Sequence, residues 1–171
     1  MINEFRGKYE FLSNFYNSPV LYNGLLFTNS EAAFHAQKTL DVNDRRRFTE
    51  YNAGKSKREG RKLNLRADWE DVKDNIMYEI CKAKFSQNED LKKKLLATKD
   101  EYLEEGTTGW HDNYWGNCEC DKCKNIKGKN TLGKILMRVR DEFRCETQED
   151  CDTCNVQKCI NCKLETELKG E

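Results

Sequence analysis

Residues Asn29 to Lys38 read NSEAAFHAQK, and the character of the chain turns on how this stretch folds. Ser30 or Asn29 can cap a helix that begins at Glu31, because either side-chain oxygen can accept an orphan amide of the first turn. Glu31, Phe34, His35 and Lys38 then fall at i, i+3, i+4 and i+7, on one side of that helix. Ala32, Ala33 and Ala36 keep the remaining surface small, so neighbouring elements can approach closely. The helix is predicted to run to about Leu40. Taken alone, its carboxylate, imidazole and amine read as a solvated charge row. Trp69, Asp112, Trp115 and Asn130 further along give that row the company of a site.

Upstream, residues 5–28 are predicted as strand and turn. Val20-Leu21-Tyr22 and Leu25-Leu26-Phe27 flank Asn23-Gly24, the dipeptide that suits a two-residue hairpin because both positions need positive φ. Downstream, residues 41–51 carry Arg45-Arg46-Arg47 and predict a short basic helix. Residues 53–62, AGKSKREGRK, hold five bases in ten residues, which can grip phosphate or form a solvated face. Asp68 is predicted to cap the longest helix, with Asp71 three residues on and Trp69, Val72, Ile76, Ile80 and Phe85 as its apolar stripe. In that stripe Trp69 reads first as core. Residues 88–98 predict another helix, with Leu91, Leu95 and Leu96 inward.

Residues 99–129 are irregular, and a loop of this length in a compact domain is functional or cross-linked. It contains Trp110 to Gly116, WHDNYWG, and then Cys118, Cys120 and Cys123. Asn130 is expected to cap a final helix with Leu132, Ile135, Leu136 and Val139 facing inward. The pattern stops after Phe143. A domain is therefore expected over residues 1–145, followed by an acidic, cysteine-rich tail over 146–171.

At 171 residues the chain suits one globular domain plus an appendage. Its charged share of 35% demands a heavily charged surface, while 8 Phe, 7 Tyr and 3 Trp argue against disorder. No apolar run approaches a membrane span, and the N-terminus has no apolar h-region. The formal net charge of +0 hides an asymmetry: residues 141–171 hold nine acids against four bases. A mildly basic body with an acidic tail fits a phosphate-bearing ligand. Nine cysteines in such a chain point to a reducing, cytosolic compartment, where clustered thiols bind metal.

In order along the chain, several pieces resemble the NADAR (YbiA-like) family. They are Tyr9 to Phe15 (YEFLSNF), Asn29-Ser30-Glu31 with Gln37-Lys38, Gly60-Arg61, Arg66 with Asp68-Trp69, and Lys84-Phe85. Asp112 with Trp115-Gly116 follows, and then Asn130 with Leu132-Gly133 and Leu136-Met137. The resemblance covers about 140 residues. It implies an α+β fold, a mostly helical single domain with a small N-terminal β-hairpin, that hydrolyses N-glycosidic bonds to a phosphorylated ribose. Two substrate classes come with it: ribosylaminopyrimidine intermediates of riboflavin synthesis, and ADP-ribose attached to guanine in nucleic acid. Many relatives lack Cys118, Cys120 and Cys123, so these thiols are not expected to do the shared chemistry.

Cleaving a ribose C1′–N bond develops positive charge on the sugar and negative charge on the departing base, which calls for carboxylates and a proton donor. Glu31, Lys38 and Asp112 are the expected catalytic residues. Glu105 reads equally as a site carboxylate or a surface one. Lys38, partly desolvated, can attack C1′ as a free amine and form a Schiff base, or it can bind phosphate. Trp115 and Trp69 can stack on a base, Trp115 in a glycine-flanked loop with Gly116 beside it. Arg61, Lys57 and Arg66 are phosphate candidates, and Asn130 serves as helix cap or ligand contact. His35 and His111 each read as an acid or as a packed imidazole.

Cys118-x-Cys120-x-x-Cys123 supplies three thiolates, one short of a closed zinc site. Cys145, a tail cysteine or His111 can complete it. Cys151/Cys154 and Cys159/Cys162 add two C-x-x-C pairs, so structural zinc is the expected cofactor and no organic one is expected. Two other functions compete with a glycosidase acting on a ribosyl-phosphate or ADP-ribosyl substrate. One is a non-catalytic module binding ADP-ribose or NAD. The other is a zinc-dependent nucleic-acid-binding protein, weakened by the tail's acidity, which phosphates repel.

Overall fold

Asn23 and Gly24 adopt φ values of 48° and 75°, and around them β1 (Asn17–Tyr22) and β2 (Leu25–Asn29) pair antiparallel. The register sets Val20 opposite Phe27 and Leu21 opposite Leu26. Val20 and Phe27 are fully buried while Leu21 and Leu26 face outward, as a period of two requires. The outer edge of β1 is covered by Gln87, whose side-chain amide accepts from Leu21 N at 2.8 Å and donates to Leu21 O at 2.9 Å. The computed structural model describes residues 1–147, so the expected tail from 148 onward, with its four cysteines, lies outside the described residues.

The hairpin leads directly into α1 (Ser30–Ala36), every residue of which is buried. Asn29 caps it, its side-chain oxygen accepting from Ala32 N at 2.8 Å. The helix stops at Ala36 rather than near Leu40. Lys38 N turns back to His35 O, Thr39 Oγ1 accepts from Asp41 N at 3.1 Å, and Asp41 Oδ1 caps the next helix. Such local side-chain bonds offer the backbone an alternative to the helical ladder. α2 (Val42–Arg47), a 3-10 turn (Phe48–Glu50) and α3 (Ala53–Gly60) follow, α3 capped by Asn52 through Lys55 N at 2.8 Å.

α4 (Trp69–Ser86) packs against α1, β1, α5 (Glu89–Leu96) and α6 (Thr131–Thr147). Phe27, Phe85, Phe143, Ile80, Leu95 and Leu136 close the core between them, each worth roughly 1.5–3 kcal/mol of burial. The fold is thus α+β, about half helical with a small two-stranded sheet. No helix among the described residues is long and apolar enough to cross a membrane.

Three further local expectations are corrected. Gly7–Leu12 form a 3-10 helix rather than a strand, tied down because the buried Lys84 ammonium donates to Phe11 O (2.6 Å) and Ser13 O (2.8 Å). Asp68 precedes α4 but makes no side-chain cap. Its carboxylate is held by the Arg66 fork at 2.5 and 2.8 Å, a charge-assisted pair stronger than an amide bond. Asn130 stands before α6, its carbonyl accepting from Lys134 N. Its side chain does not cap that helix but turns to another segment, Oδ1 accepting from Glu105 N at 3.2 Å and Nδ2 donating to Leu103 O at 2.8 Å.

Candidate active site

One cavity of about 590 Å³ opens where α1, α3, the Ser13–Phe15 turn and the loop after Leu103 converge. Glu31, Lys38, Glu105 and Asp112 line it, together with Arg6, Lys57 and Arg61. Phe15, Phe34, Trp110 and Trp115 supply its aromatic wall. Trp115 meets the edge of Phe34 at a centroid distance of 5.3 Å, and Trp69 packs on Phe34 at 5.1 Å.

Each functional side chain is held by its local fold. The Glu31 backbone amide donates to Asn14 O at 3.1 Å, joining the start of α1 to the Ser13–Phe15 turn. Glu31 Oε1 lies 3.0 Å from His35 Nε2, one helical turn on. The His35 ring is wedged beneath α3, where a Cβ on Gly60 would stand 2.2 Å from His35 Nδ1. Asp112 Oδ1 accepts from both Tyr114 N and Trp115 N at 2.9 Å, an Asx turn that fixes one carboxylate oxygen. Glu105 is placed by the Asn130 bond to its amide and by the approach of Gly116, where any Cβ would meet Glu105 O at 2.3 Å. Asn14 Oδ1, buried and lining the same cavity, has no protein partner among the described residues.

The electrostatics pull acid and amine in opposite directions. Burial, reinforced by the charges of Glu31 and Asp112, pushes the Glu105 carboxyl up to about 7. Burial lowers the Lys38 amine below the usual lysine range. Glu31 opposes that shift, and the nearby Arg61 and Lys57 cations add to it. The same cavity thus holds a carboxyl that keeps its proton near neutrality and an amine whose charged form burial disfavours, two groups suited to acid–base chemistry.

Beside this cavity the donor atoms of His111, Cys118, Cys120 and Cys123 all lie within 4.8 Å of one another and can hold a metal ion. His111 Nδ1 is 3.5 Å from Cys118 Sγ and 3.2 Å from Cys120 Sγ. Of the completions open to the three thiols, His111 is the one found in place among the described residues.

Of the sequence-derived candidates, Glu31, Lys38, Lys57, Arg61, Glu105, Asp112 and Trp115 all meet in the cavity. Four do not line it. Trp69 lies behind Phe34 in the core, with Lys38 Nζ 5.8 Å from its ring centroid. Arg66 is engaged by Asp68, Gly116 lies under Glu105, and Asn130 locks the Glu105 backbone. His35 is a packed imidazole that orients Glu31. The sequence reading missed Arg6, Asn14, Phe15 and Trp110 as lining residues. A tryptophan after Gly109 in an irregular loop was a usable signal for Trp110; a lone arginine at position 6 gave none.

A family model described as the NADAR domain matches residues 3–144. The N-glycosidase YbiA of Escherichia coli (strain K12) is 36% identical over 137 residues, spanning 78% of this chain and 81% of that protein. A riboflavin biosynthesis protein of Vibrio vulnificus (strain YJ016) is 34% identical over 137 residues, 78% of this chain but 35% of that protein. The NMR structure of E. coli YbiA matches with a TM-score of 0.75 at 35% identity, covering 88% of this chain and 89% of that one.

Proposed function

The chain belongs to the NADAR domain family and is an N-glycosidase of it, a hydrolase of N-glycosyl compounds, and we propose that its substrate joins a phosphorylated ribose, free or within ADP-ribose, to a base. The observation that carries this reading is one cavity lined by a carboxyl raised to about 7, Glu105, and an amine shifted down by burial, Lys38, together with Glu31 and Asp112.

In this reading Trp115 holds the base against its ring, and Arg6, Lys57 and Arg61 receive the phosphates. The unpartnered oxygen of Asn14 accepts from a ribose hydroxyl. Lys38 attacks C1′ as the bond to the base breaks. Glu105 gives the departing nitrogen its proton, and Glu31 takes the proton released by the attacking amine. The ribose opens to an imine on Lys38. Water then adds to C1′, the C1′–N bond to Lys38 breaks, and the free sugar leaves with the amine restored. Asp112, one oxygen fixed by two amides, offers the other to the developing positive charge on the sugar. No organic cofactor enters these steps. The inorganic partner in the reading is a structural zinc ion at the His–Cys cluster, away from the reacting carbon, in a chain working in the reducing cytosol.

Two substrates satisfy this chemistry: guanine carrying ADP-ribose in nucleic acid, and a ribosylaminopyrimidine phosphate of riboflavin synthesis. Incubating the protein with each and weighing the released sugar and base by mass spectrometry tests the reading. Release from one of them is expected. Intact substrate in both incubations, with folded protein, would overturn it.

A further inference from the structure

The two side chains that flank His111 point into the active-site cavity, while His111 itself is absent from its wall. The backbone explains the divergence. His111 has φ 59°, the left-handed region, which is sparsely populated by residues other than glycine and costs of order 1 kcal/mol or more. That conformation directs the imidazole away from Trp110 and Asp112 and toward Cys118, Cys120 and Cys123. A strained backbone persists where something else holds it.

We propose that His111, Cys118, Cys120 and Cys123 form a closed tetrahedral zinc site that clamps the loop carrying Trp110 and Asp112 into the cavity. The donor set is a Cys3His set, a standard composition for structural zinc. Zinc bonds of about 2.3 Å to sulfur and about 2.0–2.1 Å to nitrogen place ligand atoms roughly 3.5–3.8 Å apart. The His111 Nδ1 distances of 3.5 and 3.2 Å to two thiols fall close to that spacing without rearrangement. The surrounding loop is already wound for it: Cys123 N donates to Cys120 O (2.9 Å), Cys118 N to Asn113 Oδ1 (2.9 Å) and Gly128 N to Asn117 Oδ1 (3.1 Å). Cys118 and Cys123 are buried, so ligation leaves one face of the site under protein.

The ion would cross-link residue 111 to residues 118–123. Between them lies the Asx turn that fixes Asp112, whose backbone oxygen also accepts from the Thr107 hydroxyl, just before the cross-link, at 2.5 Å. Freeing His111 releases the left-handed residue and with it the register of its two neighbours. The consequence for catalysis rests on the glycosidase reading; the metal site does not.

The test uses the full chain with the four tail cysteines changed to serine (Cys151, Cys154, Cys159 and Cys162), purified under reducing conditions. Elemental analysis is expected to find one zinc per chain. Cobalt(II) replacing it is expected to show the visible bands of a tetrahedral thiolate complex. Cys120→Ser, at the more exposed thiol, should abolish the stoichiometric ion, and His111→Gln should shift the cobalt bands. Stripping zinc from the parent should speed amide exchange across residues 106–123 and leave α4 protected, with zinc re-addition reversing it. Absence of metal in the reduced protein, or iron in its place, would overturn the site. Unchanged exchange in the loop on stripping would overturn the clamp. None of these readouts uses substrate, so they stand apart from a failure of the glycosidase assay.

Discussion

Glu105 holds a carboxyl pushed up to about 7, first because burial strips its water and then because Glu31 and Asp112 place negative charge beside it. In the proposed role of proton donor to the leaving base it must be protonated, so turnover is expected to fall as pH rises through about 7, and Glu105→Gln should remove that limb along with most of the rate. A limb at the same pH in the variant would assign it elsewhere. The same shift bears on stability. The folded carboxyl keeps its proton where the unfolded one, at the ordinary glutamate value of 4.5, has lost it. Its contribution is therefore fully present below about 4.5 and disappears as pH climbs through 7. Urea unfolding across that range should show the decline in the parent and not in Glu105→Gln. Glu31→Gln removes charge with little change in shape, so it should keep fold and ligand binding yet lose roughly 10²-fold or more in kcat. Lys38 separates two routes. If its amine attacks C1′, Lys38→Arg is inactive, because guanidinium stays protonated, and borohydride added during turnover traps a sugar on Lys38. An active Lys38→Arg enzyme without a trapped adduct would assign the attack to water.

Among the elements, α1 and α3 pack so closely that a side chain at position 60 has nowhere to go. Gly60→Ala sets a Cβ 2.2 Å from His35 Nδ1 and 2.6 Å from its Cγ. Either the helices separate or the imidazole rotates away from Glu31. The expected cost is about 1–3 kcal/mol of stability, with kcat falling more than KM rises, because the displaced group orients Glu31, the carboxylate proposed to take the amine's proton. Thermal unfolding and steady-state kinetics read the two effects; an unchanged melting temperature with unchanged kcat would show that the contact is slack. Such a contact is invisible in the sequence, and it marks where reading ahead of the structure stops. The Asn23-Gly24 turn, the helix from Asn29 and the stripe through Ile76, Ile80 and Phe85 were legible because local chemistry and period decide them. The 3-10 helix at Gly7–Leu12 was not, because the distant Lys84 decides it. The early end of α1 and the idle cap at Asp68 were not, because near neighbours, Asp41 and Arg66, compete for the same groups and the pattern does not say which bond wins. Within the cavity, Glu31, Lys38 and Asp112 stood out by residue type and family pattern. Asn14 and Phe15 join it because Lys84 of α4 and the Glu31 amide of α1 fix the Phe11–Phe15 segment from two sides, and Arg6 joins it through tertiary packing that no local pattern announces.

At the scale of the whole molecule, the question is whether the body depends on the acidic, cysteine-rich stretch that follows it. α6 buries Leu132, Leu136, Val139 and Phe143 in the core it shares with α4, and it reaches Thr147. Those apolar contacts are complete before the first of the four tail cysteines, Cys151. The cluster of His111, Cys118, Cys120 and Cys123 likewise draws all four donors from the body. A chain ended at Thr147 should therefore melt within a few degrees of the full chain, retain its glycosidase activity and still carry one zinc. The full chain should carry more, since Cys151/Cys154 and Cys159/Cys162 present a second set of paired thiols. Metal analysis of both chains, reduced throughout and paired with thermal unfolding, decides the matter. A shortened chain with no zinc and a lowered melting temperature would mean that the body's cluster borrows a tail thiol. His111 would then be a neighbour of the metal rather than its ligand.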